Sequence, residues 1–204
     1  MNSSIRAIIF DFGGVLVNWD PHLLFNKFFN NDTQEIDQFL AEINFTDWNL
    51  SQDKGHPFSQ AVADLSIQFP QYSHLIRAYD EEWERSIAGI IPETEKILYK
   101  LKTARLHLYG LTNWSAEKFS IVRHKYGVFD LFEEIVVSGE VKLVKPDPAI
   151  FQLLLEKINR KPEECLLVDD SLQNIEAARK MGFATHHFIS PAQLELAIQQ
   201  MGLI

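Results

Sequence analysis

Polar side chains that could carry out chemistry follow several short apolar runs in this sequence of 204 residues. They are Asp11, Thr112 with Asn113, Lys145, and Asp169 with Asp170. Carboxylates that lie close together repel one another unless a cation lies between them, and a ligand set made only of oxygen atoms selects a hard cation, most simply Mg²⁺. A carboxylate that can attack, next to Mg²⁺ and a lysine, suits phosphoryl transfer through an aspartyl-phosphate.

The apolar runs next to these residues predict buried parallel strands, because they are short, continuous and bounded by turn residues or carboxylates. They cover residues 7–10, 106–111, 135–137, 166–168 and, more weakly, 183–188. Helical patterns alternate with them at residues 92–102, 116–126, 148–158 and 174–181, and again from Ser190. This alternation predicts an α/β, doubly wound, Rossmann-like parallel sheet. The carboxyl ends of parallel strands share one edge, so we expect the polar residues to converge there.

The segment from residue 19 to residue 88 differs from the rest of the chain, since it is helical, rich in aromatic residues and without a convincing strand. It predicts a helical cap, with residues 1–18 and 89–204 forming the α/β core. A cap inserted here would lie over the carboxyl ends of the strands, where open α/β sheets bind ligands. Trp19, Trp48 and Trp114 could line a pocket between cap and core, or could simply pack in the core.

The composition argues against several classes of partner. A formal net charge of −9 provides no basic surface for nucleic acid or an anionic membrane. No run approaches the length that spans a membrane, and the apolar run near the N-terminus is too short for a signal peptide. The one cysteine, Cys165, cannot form an internal disulfide, so we predict a reduced, cytoplasmic setting. The sequence leaves the oligomeric state open.

The motifs DFGGV, LTN, KPDP and VDDSLQN, in this order, resemble those of the haloacid dehalogenase-like hydrolase superfamily. Each motif alone is weak, but the four together are specific, and the resemblance covers nearly the whole chain. It implies that the catalytic residues are Asp11 and Lys145, that the substrate-binding residues are Gly14, Thr112, Asn113 and Lys145, and that the Mg²⁺ ligands are Asp11, the Gly13 carbonyl, Asp169 and Asp170. Asn174 would support the metal site, and the partner would be a small-molecule phosphate ester.

Gly13 departs from the pattern of the superfamily's phosphatases, which usually have an aspartate two residues after the nucleophile. That aspartate protonates the leaving group and then activates water, and glycine can do neither. A subgroup that includes glucose-1-phosphate phosphatases also lacks it, which favours esters with good leaving groups, such as sugar 1-phosphates. A cap residue could instead supply the missing group, with His56 and Asp53 as candidates, or the activity could be vestigial.

Two other functions stay open at this point. The first is a metal-independent 2-haloacid dehalogenase, in which Asp11 would attack carbon; that branch also lacks the second aspartate, and Asn113 and Trp114 are mildly similar to it. The adjacent pair Asp169 and Asp170 favours Mg²⁺ and phosphate instead. The second is a catalytically weak, phosphate-binding protein that has kept the shape of the site.

Overall fold

The structure, a computed structural model that describes residues 5–204, has a parallel sheet at its centre. The strands are β1 Ala7–Phe10, β2 Val17–Trp19, β3 Ile87–Ile90, β4 His107–Thr112, β5 Glu134–Val137, β6 Cys165–Asp169 and β7 Ala184–His187. Five of them form a sheet in the order β5-β4-β1-β6-β7, with every neighbouring pair parallel. This confirms the predicted α/β, Rossmann-like fold.

The described helices separate the strands. They are α1 Pro21–Phe25, α2 Thr33–Glu42, α3 Phe45–Asp53, α4 Phe58–Gln68, α5 Ser73–Glu81, α6 Pro92–Thr103, α7 Ala116–Lys125, α8 Ser138–Val141, α9 Pro148–Ile158, α10 Leu172–Lys180 and α11 Pro191–Gln200. Within residues 5–204, none of these helices is both long and apolar enough to cross a membrane.

The central strand β1 is buried on both faces, which explains its unbroken apolar sequence. Ile8 and Phe10 pack into one hydrophobic cluster, whereas Ala7 and Ile9 pack into another, because successive side chains of a strand point to opposite faces. Phe10 pairs with Gly110 of β4 and with Val168 of β6. This register brings the residues that follow β1, β4 and β6 to one edge of the sheet.

A short antiparallel ribbon of β2 and β3 brackets the helices α1–α5. The sequence pattern did not predict this ribbon, and part of β3 falls in residues 19–88, for which no strand was predicted. The two strands have only three and four residues, β3 contains Gly89, and the register shifts between Asn18 and Trp19. So short and irregular a pair carries little periodic signal.

Tyr79 of α5 joins α1, α3 and α4, because its ring lies against those of Phe25, Phe45, Trp48 and Phe58. Polar contacts join this segment to the elements that follow β4 and β5. Ser138 Oγ donates to the main-chain oxygen of Asp53 at 2.6 Å, and the main-chain N–H of Phe58 donates to Glu117 at 3.1 Å. The insertion therefore contacts the carboxyl edge of the sheet.

Candidate active site

Asp11 and Lys145 form a buried ion pair at the carboxyl edge of the sheet. Asp11 follows β1 directly, and its main-chain N–H continues the pairing with β6 by donating to Val168 O at 2.9 Å. Lys145 Nζ lies 3.0 Å from Asp11 Oδ2 and 2.7 Å from Asp169 Oδ2, and it also donates to Leu111 O at 2.8 Å. Lys145 is 2% exposed and Asp11 is 8% exposed, so one buried cation bridges the ends of three neighbouring strands.

Asp169 and Asp170 have different surroundings although they are adjacent. Asp169 is fully buried; its Oδ1 accepts from Ser171 N and Asn174 Nδ2, both at 2.9 Å, and its Oδ2 accepts from Lys145. Asn174, which we predict to support a metal site, thus donates a hydrogen bond to Asp169. Asp170 is exposed towards the cavity, so its carboxylate is the more accessible of the two.

Thr112 and Asn113, at the end of β4, face different partners. Thr112 Oγ1 is buried without a hydrogen-bond partner among the described residues, so its hydroxyl is available to a ligand oxygen. The Asn113 side chain donates to Lys145 O at 2.9 Å and accepts from Lys145 N at 2.8 Å. Asn113 therefore fixes the main chain of Lys145, and its own side-chain amide is already engaged.

The turn after Asp11 requires glycine at position 14 but not at position 13. Gly14 has φ +71°, and a Cβ there would lie 2.3 Å from Asp170 Oδ2, so a larger residue would be strained and would displace that carboxylate. The Gly14 N–H donates to Val17 O at 3.0 Å within the turn. Gly13 is different, because a Cβ there would meet no atom within 4 Å.

The electrostatics of the cluster call for added positive charge. One oxygen of each of Asp11, Asp169 and Asp170 lies within 4.8 Å of the others, and Lys145 supplies a single positive charge. Burial raises the pKa of Asp11 to about 7; Lys145 opposes this, while the charges of Asp169 and Asp170 reinforce it. Burial acts to lower the pKa of Lys145, but Asp11 and Asp169 outweigh it and raise that pKa. Three carboxylates around one ammonium fit a hard divalent cation.

A cavity of about 360 Å³ opens above these residues. It joins the carboxyl edge of the sheet to the inserted helices and is lined by Asp11, Gly13, Gly14, Trp19, Asn49, Asp53, Phe58, Tyr79, Trp83, Asn113, Trp114, Ser115, Lys118 and Asp170. Trp19 and Trp114 thus line a pocket, whereas Trp48 packs against Phe45 and Tyr79.

Several residues of this cavity wall are not predicted from the sequence. Lys118 is buried; its Nζ donates to Asp80 O at 2.9 Å and lies 4.3 Å from the centre of the Phe58 ring. Tyr79 Oη donates to Asn49 Oδ1 at 2.8 Å. No local pattern distinguishes such residues from ordinary helix residues, because their position depends on how α3, α5 and α7 pack together.

Of the two candidates for the missing acid, only Asp53 lines the cavity. It is 9% exposed, and burial raises its pKa to about 7, partly offset by a hydrogen bond from the Ser115 main-chain N–H. The His56 side chain is 40% exposed and faces Asp64, at 3.8 Å.

Known proteins resemble this chain over most of its length. It is 25% identical to the sesquiterpene phosphatase astK of Aspergillus oryzae, over 98% of each chain. It is 24% identical to the phosphorylated carbohydrates phosphatase of Thermotoga maritima, over 87% of this chain and 82% of that protein. A match to the drimenol cyclase drtB of Aspergillus calidoustus, 27% identical, spans 87% of this chain but only 33% of that protein.

A solved structure of similar fold contains magnesium and inorganic phosphate. A HAD family enzyme from Bacteroides thetaiotaomicron, in complex with magnesium and inorganic phosphate, is 27% identical. It superimposes with a TM-score of 0.70 over 89% of this chain and 93% of that chain. Residues 5–182 of this chain match the sequence family described as haloacid dehalogenase-like hydrolase. The chain therefore belongs to the haloacid dehalogenase-like hydrolases.

Proposed function

We propose that this hydrolase is a Mg²⁺-dependent phosphatase of small phosphorylated metabolites, with sugar phosphates as the preferred class, as in the subgroup of glucose-1-phosphate phosphatases. The observation that carries the proposal is the convergence of Asp11, Asp169 and Asp170 around the buried Lys145. The unpartnered Thr112 hydroxyl at the same edge supplies a donor for a phosphoryl oxygen.

In the proposed reaction, an Asp11 carboxylate oxygen attacks phosphorus and the bond to the leaving alcohol breaks, which gives phospho-Asp11; water then hydrolyses it. Lys145 balances the charge of Asp11 and of the transferring group, while Thr112 donates to a phosphoryl oxygen. Mg²⁺, held by Asp11, the Gly13 carbonyl and Asp170 with Asp169 beside it, would stabilise negative charge on the phosphoryl oxygens.

The leaving group would occupy the cavity between residues 19–88, which we assign to a cap, and the part of the core that we assign to residues 5–18 and 89–204; residues 1–4 of the predicted core lie outside the described residues. Its aromatic walls can stack on the apolar faces of a sugar, and Asn49 can bond hydroxyl groups. Because two relatives are named as a carbohydrate phosphatase and a sesquiterpene phosphatase, both kinds of monophosphate belong in a substrate panel.

The test is phosphate release from sugar 1-phosphates, sugar 6-phosphates and an isoprenoid monophosphate, measured with Mg²⁺ and with a chelator. Asp11→Asn is compared with wild type and with Asp130→Asn, which alters an exposed carboxylate as a matched control. We expect release that needs Mg²⁺, disappears in Asp11→Asn and persists in the control. Preference for sugar 1-phosphates would support the subgroup assignment.

Two results would overturn the proposal. Chelator-insensitive halide release from 2-haloacids, without phosphate release, would show a dehalogenase in which Asp11 attacks carbon. Binding of Mg²⁺ and inorganic phosphate by the folded protein, without turnover of any ester, would show a phosphate-binding protein that has lost catalysis.

A further inference from the structure

We propose that Asp53, at the end of α3, is the general acid and base that the chain lacks at position 13. This inference rests on the proposed phosphatase function and adds a catalytic residue to it. It follows from where the Asp53 carboxyl lies, how it is held, and which other ionisable groups share the cavity.

The main chain of Asp53 is fixed against the loop that borders the phosphoryl site. Ser138 Oγ donates to Asp53 O at 2.6 Å and accepts from Trp114 N at 2.9 Å. Trp114 follows the Thr112-Asn113 pair directly. The inserted helix therefore ends beside the residues that would hold the phosphoryl group, where a leaving oxygen would emerge into the cavity.

The carboxyl of Asp53 is oriented by neutral donors and has no cation next to it among its described contacts. Asn49 Nδ2 donates to Asp53 Oδ2 at 3.2 Å, and the Asn49 amide is itself oriented by Tyr79 Oη, which donates to its oxygen at 2.8 Å. The Ser115 main-chain N–H donates to the same carboxyl, so both described donors to Asp53 are uncharged. A pKa of about 7, raised by burial, lets the group act as acid and as base near neutral pH.

The other ionisable groups that line the cavity are already committed. Asp11 and Asp170 belong to the carboxylate cluster, and Lys118 is paired with Asp80. Burial raises the pKa of Tyr79, which keeps its hydroxyl protonated as the donor to Asn49. Among the described residues of the cavity wall, Asp53 therefore remains as the carboxyl that can transfer a proton to the leaving group.

Asp53 gives up one proton in the first step of the reaction and takes up one proton in the second. As Asp11 attacks phosphorus and the bond to the leaving oxygen breaks, neutral Asp53 gives its proton to that oxygen and becomes a carboxylate. The carboxylate then takes a proton from water as the water oxygen attacks the phosphorus of phospho-Asp11. The bond between phosphorus and the Asp11 oxygen breaks, phosphate leaves, and both aspartates return to their starting states.

The test compares phosphate esters whose leaving groups differ in basicity and carry no other hydroxyl group: p-nitrophenyl, phenyl and benzyl phosphate. In Asp53→Asn we expect kcat/KM to fall about 10²–10⁴-fold on benzyl phosphate and less than about tenfold on p-nitrophenyl phosphate, which needs no protonation. The slow second step should also give a burst of p-nitrophenol. Asp47→Asn, an exposed change on the same helix, is the control and should match wild type throughout.

A second variant tests the role without relying on loss alone. A side chain at position 13 would meet no atom within 4 Å of its Cβ. We therefore expect kcat/KM on benzyl phosphate to be at least about tenfold higher in the double variant Gly13→Asp, Asp53→Asn than in Asp53→Asn alone. If Asp53→Asn does not fold, Asp53→Ser removes the acid with a smaller side chain and allows the same comparison.

The outcomes separate this inference from the function on which it rests. A loss equal on all three esters, or no loss, would overturn the role of Asp53 while leaving the phosphatase intact. Failure of the wild type to release phosphate from any ester would instead overturn the phosphatase itself.

Discussion

Replacing Asp53 with asparagine should make the protein more stable above neutral pH, because the wild-type carboxylate is poorly solvated. Burial raises its pKa from 3.8 to about 7, so the folded state binds this proton more tightly than the unfolded state. The cost to stability is absent below the unfolded pKa, grows as the pH rises, and levels off above the folded pKa. At about 1.4 kcal/mol per pH unit the full cost is about 4 kcal/mol, of which about 2–3 kcal/mol develops between about pH 5 and about pH 8.

The assay is urea-induced unfolding of wild type and Asp53→Asn at these two pH values. The free energy of unfolding of the variant, relative to wild type, should rise by about 2–3 kcal/mol from the lower to the higher pH. The other titrating groups are common to both proteins and cancel to first order. Asp47→Asn serves as the control on the same helix. A relative free energy that stays constant within about 0.5 kcal/mol would refute the reasoning, because Asp53 would then ionise as it does in the unfolded chain.

Three further changes test the carboxylate cluster and the turn beside it. Lys145→Ala should lower the free energy of unfolding by about 3–5 kcal/mol, because it leaves buried carboxylates unpaired. The control Lys157→Ala, which breaks an exposed pair with a 2.7 Å contact, should cost at most about 1 kcal/mol. Equal losses of stability in the two variants would contradict the buried ion pair of Lys145. Gly14→Ala should raise the Mg²⁺ concentration needed for half-maximal turnover, since its Cβ would displace Asp170; an unchanged Mg²⁺ dependence would show that Asp170 is no ligand. Thr112→Val should lower kcat by about 10²-fold with no loss in urea stability, because the hydroxyl has no described partner; full activity would exclude it from the phosphoryl site.

The sequence predicts the sheet and its functional edge because both follow from short-range patterns. Continuous apolar runs identify buried parallel strands, and parallel strands must end together. Asp11, Thr112, Lys145 and the pair at 169 and 170 could therefore be expected at one edge before any side chain was placed. The ribbon of β2 and β3 was missed because its few residues carry no period.

Which contacts each polar side chain makes depends on the direction in which it points, and the spacing of residues in the sequence does not determine this direction. Asp169 is the last residue of β6 and points into the core towards Lys145, whereas Asp170 lies just beyond the strand. The Asn113 side chain donates a hydrogen bond to the main-chain oxygen of Lys145. Each of these outcomes reflects a contact between distant segments.

The cavity wall could not be placed from sequence for the same reason. Asp53 and His56 are only three residues apart, and which one lines the cavity depends on where α3 ends and how its last turn contacts Ser138. Lys118 resembles a surface lysine until the packing of α5 against α7 brings it to Asp80.

The most direct test of the central claim is to trap the covalent intermediate on Asp11. The enzyme is mixed with a phosphate ester and Mg²⁺, quenched rapidly in acid, and analysed by peptide mass spectrometry. We predict one added phosphoryl group on the peptide that contains Asp11, absent with a chelator and absent in Asp11→Asn. Mg²⁺-dependent turnover that persists in Asp11→Asn, with no phosphorylated peptide in the wild type, would contradict the account.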